Sequence, residues 1–541
     1  MQLDALDATA VNIINEIIRN YEQQIKEINA QHEQQCQSLQ AGLQEYHHKY
    51  LIIKEQYELL IYKRFVRSAE QLKADESQML LFTEGEAKSE STKETIEYTD
   101  VKTHKRNKKG RKAIDPKIER IQKIIDIPDS EKTCACGAEL TRIGQESSEK
   151  LVIIPMKVYV EQTIRPKYAC RNCEGTEDED KPTVRIMPAE PAIIPQSIAS
   201  PGLLSCIMIQ KYEDHLPFYR QEKQFSTIGV KISRQDMCNW QHKVYLFLLP
   251  LFILFKQIIK TGPVIKMDET TLQVIKEEGR NYTDKSYMWL ARGGPPDKTI
   301  VLYEYRTTRA GENAKGLLKG YTGYLQTDGY EGYDAAIKEM PGIIHVGCFA
   351  HARRYFFEAA AITKENGTAK EGMEYIRKLY QIEKELRAEI ENEKITAEDF
   401  LKKRKKQTEP VLNDFKAWLL KEVDGVPPVC LLGKAIRYSL NQWDKLIRYL
   451  ESPYLTPDNN DSENAIRPFV LGRKNWLFNQ TAGGAESSCG MYTLIETAKK
   501  NGLIARDYLM ELFEKAPYAS SSEDWEKLLP WNIFKNKQKN L

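Results

Sequence analysis

The chain has 541 residues, 41% of them hydrophobic and 29% charged. At about 150 residues per domain this suggests three to four domains and excludes wholesale disorder. Its 79 Lys and Arg against 77 Asp and Glu leave a formal charge of +2, which excludes a uniformly basic, histone-like protein and leaves local patches open. Ten cysteines in this length are too few for a disulfide scaffold. The opening MQLDALDATAV has no basic segment ahead of an apolar run, so no signal peptide is expected. The longest apolar run, 244–255, is broken by Pro250 and falls short of the roughly 20 residues that span a bilayer. The expectation is a soluble, cytosolic protein.

Residues 8–78 read as a coiled coil. Ile18, Ile25, His32, Leu39, Tyr46, Ile53 and Leu60 recur at every seventh position. A second series, Ile14, Tyr21, Ile28, Cys36, Leu43, Tyr50 and Tyr57, slips by one position near His32, as a stutter does. The competing reading is an amphipathic helix packed on its own domain. Residues 79–120 read as a charged linker. Acids from Glu84 to Asp100 precede a basic run over 102–112 that contains Lys105, Arg106, Lys108, Lys109 and Arg111. Such a run can lie along a phosphate backbone by counterion release; a solvated linker is the plainer alternative.

Residues 121–182 carry Cys134-Ala-Cys136 and Cys170-Arg-Asn-Cys173, with a strand-rich stretch between them. Two tight turns that each present two thiolates to one tetrahedral ion describe a zinc ribbon, with Zn²⁺ as a structural ion. A ribbon that has lost its ion and plain buried thiols are the alternatives. Pro188, Pro191, Pro195 and Pro201 then mark a boundary. Residues 196–260 read as helical. A helix over 218–225, a turn at Ser226–Gly229 and a second helix capped by Ser233 with Asp236 form a helix-turn-helix pattern. It presents Arg234 at the start of the second helix; the pattern serves either to read DNA or to pack.

From Pro263 the character changes to short β runs at 264–268, 286–290, 299–303, 323–328 and 343–346, with a helix over 312–319. This predicts an α/β domain with a mixed sheet over 261–360 and 455–482, interrupted by a helical insertion at 361–454 and followed by a C-terminal segment at 483–541. Asp268 is expected to end the first strand and Asp328 the fourth, while Glu463 opens a helix. If the two strands are neighbours, their ends lie about 4.8 Å apart. Two carboxylates there and a third from the helix make a hard oxygen site suited to Mg²⁺ or Mn²⁺. Two such ions about 3.5–4 Å apart would clamp both oxygens of a phosphoryl displacement. Glu269, next along the strand, turns to the opposite face. Arg353, Arg354, Arg467, Arg473, Lys474 and Trp476 lie near these acids in sequence and suit a phosphate-bearing polymer.

Several ordered stretches resemble transposases of the insertion sequence 66 family, within the DDE transposases of the ribonuclease H-like fold. They are Asp214-His-Leu-Pro-Phe-Tyr-Arg-Gln-Glu-Lys223, Asp268-Glu-Thr270, Thr327-Asp-Gly-Tyr330, Gly347-Cys-Phe-Ala-His-Ala-Arg-Arg354, Ser462-Glu-Asn-Ala-Ile-Arg-Pro468 and Gly472-Arg-Lys-Asn-Trp476. The spacing Cys134-Ala-Cys136 is one residue shorter than the family's usual pair. The resemblance implies a multidomain α+β protein and assigns Asp268, Asp328 and Glu463 as catalytic metal ligands for two Mg²⁺ or Mn²⁺ ions. It implies cleavage at the ends of an insertion sequence and joining of the 3′ ends to target DNA, homo-oligomers through the coiled coil, and accessory element-encoded proteins as a further class of partner. The implied location is the bacterial cytoplasm, on the nucleoid when DNA is bound. The alternatives are a ribonuclease H-like nuclease without joining, or a catalytically inactive DNA-binding relative.

Overall fold

The computed structural model describes residues 8–65, 98–99, 106–107, 158–169, 184–362, 367–392 and 394–534. Residues 87–190 form one compact unit, and 1–86 with 191–541 form another. In the smaller unit two short antiparallel pairs are described, Tyr98–Thr99 with Arg106–Asn107 and Lys167–Ala169 with Val184–Ile186. Cys134, Cys136, Cys170 and Cys173 lie outside the described residues. So do Lys105, Lys108, Lys109 and Arg111, and the side chain of Arg106.

The larger unit begins with α1 (Ala8–Phe65), a single 58-residue helix. Its heptad residues are uncovered in one chain: Ile14, Ile25, Leu39 and Tyr46 are 45%, 55%, 70% and 75% exposed. Near its C-terminal end Glu55 accepts the backbone N–H of Leu431 at 3.1 Å. Residues 66–78 of the expected coiled coil lie outside the described residues.

Four helices follow: α2 (Pro201–Tyr212), α3 (Phe218–Thr227), α4 (Arg234–Phe247) and α5 (Leu249–Ile258). Ser200 caps α2. The α3–α4 turn passes through Gly229 at φ +81°, a conformation that costs a residue with a Cβ. Ser233 and Asp236 form a reciprocal capping box on α4. Among the described residues no single helix is long and apolar enough to cross a membrane. The α4–α5 pair, bent by 55°, has the length and composition, but Met237, Trp240, Val244, Leu251, Phe252 and Phe255 are buried in protein. This segment shares one continuous core with the sheet that follows, so the sequence-based partition at residue 260 does not mark a separate core.

The central sheet contains β1 (Val264–Lys276), β2 (Lys285–Gly293) and β3 (Ile300–Arg306) as an antiparallel meander. Helix α6 (Gly311–Leu318) leads to β4 (Gly323–Gln326), then α7 (Glu331–Ile337) to β5 (Ile343–Val346). Both β4 and β5 run parallel to β1, giving the order β3-β2-β1-β4-β5. Crossover helices between parallel strands are what this arrangement requires. Asp268 does not end β1: pairing with β2 continues beyond it to Gln273.

After β5 come α8 (Phe349–Ile362), α9 (Thr368–Glu391), α10 (Ala397–Glu422), α11 (Leu431–Asn441) and the short α12 (Trp443–Leu446). These helices build a second core around Phe356, Ile376, Phe415, Trp418 and Trp443, which also takes in Val264 and Val346 of the sheet. The chain returns as α13 (Asn460–Trp476), then β6 (Asn479–Thr481), which pairs parallel with the far end of β1. Helix α14 (Ala482–Lys500) covers the edge of the sheet, and α15 (Ala505–Lys515) and α16 (Ser522–Lys527) close the core. The sequence-based boundary at 482 therefore cuts through the structural unit: Thr493 and Thr497 of α14 accept the backbone N–H groups of Tyr303 and Val301.

Candidate active site

The parallel register of β1 and β4 pairs Lys266 with Gln326. Two residues further along stand Asp268, still within β1, and Asp328, just past the end of β4, so the register directs both acids toward the same end of the sheet. Successive strand residues face opposite ways, so Lys266 and Asp268 share a face and Glu269 takes the other.

The third acid is delivered by α13, whose start is tied to β1. Asn459, just before the helix, donates its side-chain amide to the Met267 carbonyl at 2.8 Å, and its backbone N–H to Cys348 Sγ at 3.2 Å. At the second position of the helix, Asp461 accepts from Lys266 Nζ at 2.8 Å and pairs with Arg292 of β2. Burial pushes the Asp461 carboxyl up, but these two cations outweigh it and hold the group well below the usual carboxylate range. Lys266 also donates to Thr456 at 2.7 Å. This lysine is 7% exposed, and a buried charge needs such partners. Glu463 follows two residues later, about 200° around the helix, and its carboxylate acts electrostatically on Asp268.

Asp268 is pushed up to about 8, first by burial, then by the neighbouring Glu269, Glu463 and Asp328 carboxylates; the Glu269 backbone N–H, 2.8 Å away, opposes the shift. Asp328 accepts the backbone N–H of Tyr330 at 3.0 Å. Glu463 lies 3.4 Å from Arg354 Nη2 through one oxygen and 3.8 Å from His351 Nδ1 through the other. Glu269 is held on its own face by Arg309, at 2.5 Å, and by the Tyr333 hydroxyl. Burial raises its carboxyl, which the Tyr333 and Arg309 contacts oppose. Arg309 also reaches to 3.9 Å from Asp328 and lies over the Tyr330 ring, 3.9 Å from its centroid.

A hydrogen-bonded relay sets the residue before Asp328. The Thr327 hydroxyl meets His345 Nε2 at 2.8 Å, His345 Nδ1 meets Asp334 at 2.8 Å, and Lys445 meets the other Asp334 oxygen at 2.6 Å.

The residues expected at DNA divide into two groups. Arg234, Arg354, Arg467 and Lys474 have exposed side chains. Arg353 is buried at 9% exposure among the inserted helices and does not face a ligand surface. Arg473 is half-buried and donates to the Thr271 hydroxyl at 2.9 Å, tying α13 to β1. Trp476 packs edge-on to Tyr212, at 6.2 Å between centroids, and above Gly472, where an added Cβ would stand 2.0 Å from the indole; it serves the core and is not presented for base stacking. The sequence reading missed Lys266, Asp461 and Arg309. Lys266 had a signal, a lysine inside the apolar run Val264-Ile-Lys-Met, two residues before Asp268.

A family model described as "Transposase IS66 family" matches residues 196–487. The chain belongs to the IS66 transposase family. It is thus a transposase, a DNA-binding enzyme of a family that also carries a zinc-finger segment. Further models match residues 131–174 (zinc-finger binding domain of transposase IS66), 493–531 (IS66 C-terminal element) and 53–122 (Transposase C of IS166 homeodomain). The zinc-finger match spans all four cysteines singled out above. Two Sinorhizobium fredii proteins are similar along most of the chain. One printed as "Uncharacterized protein y4jD" is 31% identical over 420 residues, 76% of this chain and 79% of that protein. Another, "Uncharacterized protein y4qI", is 31% identical over 440 residues, 79% and 78%.

Proposed function

We propose that this IS66 transposase cuts at the ends of an insertion sequence and joins the freed 3′ ends to target DNA, using Asp268, Asp328 and Glu463 as its catalytic carboxylates in a ribonuclease H-like domain. The observation that supports the reading is the β1–β4 register, which directs two aspartates toward one end of the sheet, together with the electrostatic influence of Glu463 on Asp268. The Glu463 and Asp328 carboxylates both act electrostatically on Asp268, and one oxygen of Glu463 is buried without a hydrogen-bond partner. This hard-oxygen donor set fits divalent ions of the Mg²⁺ or Mn²⁺ class. Ions bound there would supply positive charge to the reacting phosphate and favour deprotonation of the attacking hydroxyl or water.

The chain's own residues supply position and charge. Asp268 and Asp328 are fixed by backbone hydrogen bonds and adjacent strands, and Glu463 by the Asp461–Lys266–Arg292 anchor. In the first step water replaces the 3′ oxygen bridge at the element end, freeing a 3′ hydroxyl. In the second that hydroxyl displaces a target 3′ oxygen, one P–O bond forming as another breaks, with no covalent bond to the protein. Glu463, Arg467 and Lys474 fall on one side of α13 at spacings of four and seven. At 1.5 Å rise per residue the two cations stand about 6 Å and 16 Å along the axis from the glutamate. This exposed row suits a DNA backbone leading away from the reacting phosphate.

Purified full-length protein with DNA carrying element ends tests the reading. Asp268→Asn is expected to abolish cleavage and joining while retaining end binding. Loss of several kcal/mol of charge stabilisation corresponds to on the order of a thousandfold in rate. Divalent-ion-dependent cleavage persisting in that variant would falsify the site.

A further inference from the structure

We propose that His351 is a nitrogen ligand to the divalent ion held by Glu463, making this end of the site a mixed nitrogen and oxygen site with Cys348 behind it. The inference rests on the catalytic reading above and adds a donor to it.

His351 stands in the first turn of α8, three residues after Cys348 and on the side facing α13. One ligand atom each from Cys348, His351 and Glu463 lies within 4.8 Å of the others. His351 Nδ1 and Glu463 Oε1 are both buried without a hydrogen-bond partner. They face each other at 3.8 Å, too far apart for a hydrogen bond. Two donors each about 2.1 Å from one ion sit about 3 to 4 Å apart. Buried polar atoms left unpartnered are rare and costly, and a shared ion satisfies both at once. Asp328 is close enough to act electrostatically on His351, so the imidazole lies toward the carboxylate cluster. Cys348 Sγ is buried and accepts the Asn459 N–H. It thereby holds the start of α8 against the start of α13, and acts as the residue that positions His351 opposite Glu463.

An imidazole donor changes which ion is favoured. Carboxylate and water sites suit Mg²⁺ and Mn²⁺ alike, whereas imidazole is a donor for transition-metal ions, and of these two ions only Mn²⁺ is one. The proposed site should therefore hold Mn²⁺ more tightly than Mg²⁺.

Mn²⁺ serves as a paramagnetic probe that the thiolate-rich 131–174 segment does not favour. Electron spin-echo modulation of Mn²⁺ bound to the full-length protein should show coupling to an imidazole nitrogen. His351→Ala should abolish that coupling and weaken Mn²⁺ uptake, on the order of tenfold or more, and His351→Gln should restore uptake only in part. Glu463→Gln should weaken uptake at the same site. Bound Mn²⁺ without nitrogen coupling in the wild-type protein overturns the proposal, as does coupling that survives in His351→Ala. The catalytic reading fails separately, if Asp268→Asn retains cleavage or if neither Asp268→Asn nor Glu463→Gln alters Mn²⁺ uptake. Circular dichroism of each variant identifies any loss caused by misfolding, and His351→Gln, which keeps size and polarity, then carries the comparison.

Discussion

At Arg404 the chain places a fully buried guanidinium within the inserted helices. It pairs with Glu383 at 2.6 Å and donates to the carbonyls of Tyr449, Ser452 and Leu455 at 2.7, 3.0 and 3.0 Å. Those carbonyls belong to the stretch that leads into α13, so one side chain ties the insertion to the strand-end site. Removing one partner of a buried ion pair costs about 3–5 kcal/mol. Arg404→Ala should fall near the lower figure, because Arg387 still pairs with Glu383 at 2.8 Å. Urea denaturation of the two proteins gives the difference; a loss under about 1 kcal/mol would mean that water replaces the guanidinium at little cost. Arg353 and Trp476 show the other side of the residue scale. A basic or aromatic side chain near catalytic acids in sequence can be a core residue, because helix rotation alone decides which way it faces.

Among elements, the β3–α14 contact solves an edge-strand problem. A sheet edge exposes unpaired N–H groups that invite other strands. Here the hydroxyls of Thr497 and Thr493 accept from Val301 and Tyr303 at 3.1 and 3.0 Å. Thr493→Val or Thr497→Val keeps the shape and orphans a buried donor, at about 1–3 kcal/mol each. Equilibrium unfolding measures that cost, and amide exchange at Val301 and Tyr303 should accelerate in the matching variant. The Asp334–His345–Thr327 relay adds a pH term. The hydrogen bond from His345, opposed by partial burial and joined by Lys445, lowers the Asp334 carboxyl from 3.8 to about 2. A depressed folded-state value stabilises above the unfolded value and is lost as pH falls through the folded one. Stability should thus decline between about pH 4 and pH 2, with Asp334→Asn showing a shallower decline over this window. Parallel curves for the two proteins would exclude Asp334 as a source.

For the molecule as a whole, α1 is the part a single chain leaves unfinished. Its heptad residues are exposed along most of the helix, and an uncovered seam of this length asks for a second helix. The expected partner is another copy, which would also bring two catalytic sites to two element ends. Removing residues 1–79 should convert the oligomer to a monomer by sedimentation velocity, with the 191–541 core still folded by circular dichroism. An unchanged sedimentation coefficient per mass would place the interface elsewhere.

The heptads, the capping box at Ser233, the five principal strands and the helical insertion were all legible in the sequence, because periodicity, caps and turn residues are local properties. The three acids were legible as candidates through motif order. What the chain alone did not decide was how these parts meet. Asp328 just past the strand that pairs with β1, Asp461 anchored by Lys266 and Arg292, and Arg309 between Glu269 and Asp328 all join residues separated by 19 to 195 positions, and such pairings follow from register and packing. Tertiary structure also decided that the helical segment before the sheet and α14 after it share one core, since each buries its apolar face against the same strands. It sorted the cations too: Arg353 and Arg473 went into packing and Arg354, Arg467 and Lys474 to the surface, a choice that the rotation of two helices makes and composition does not record.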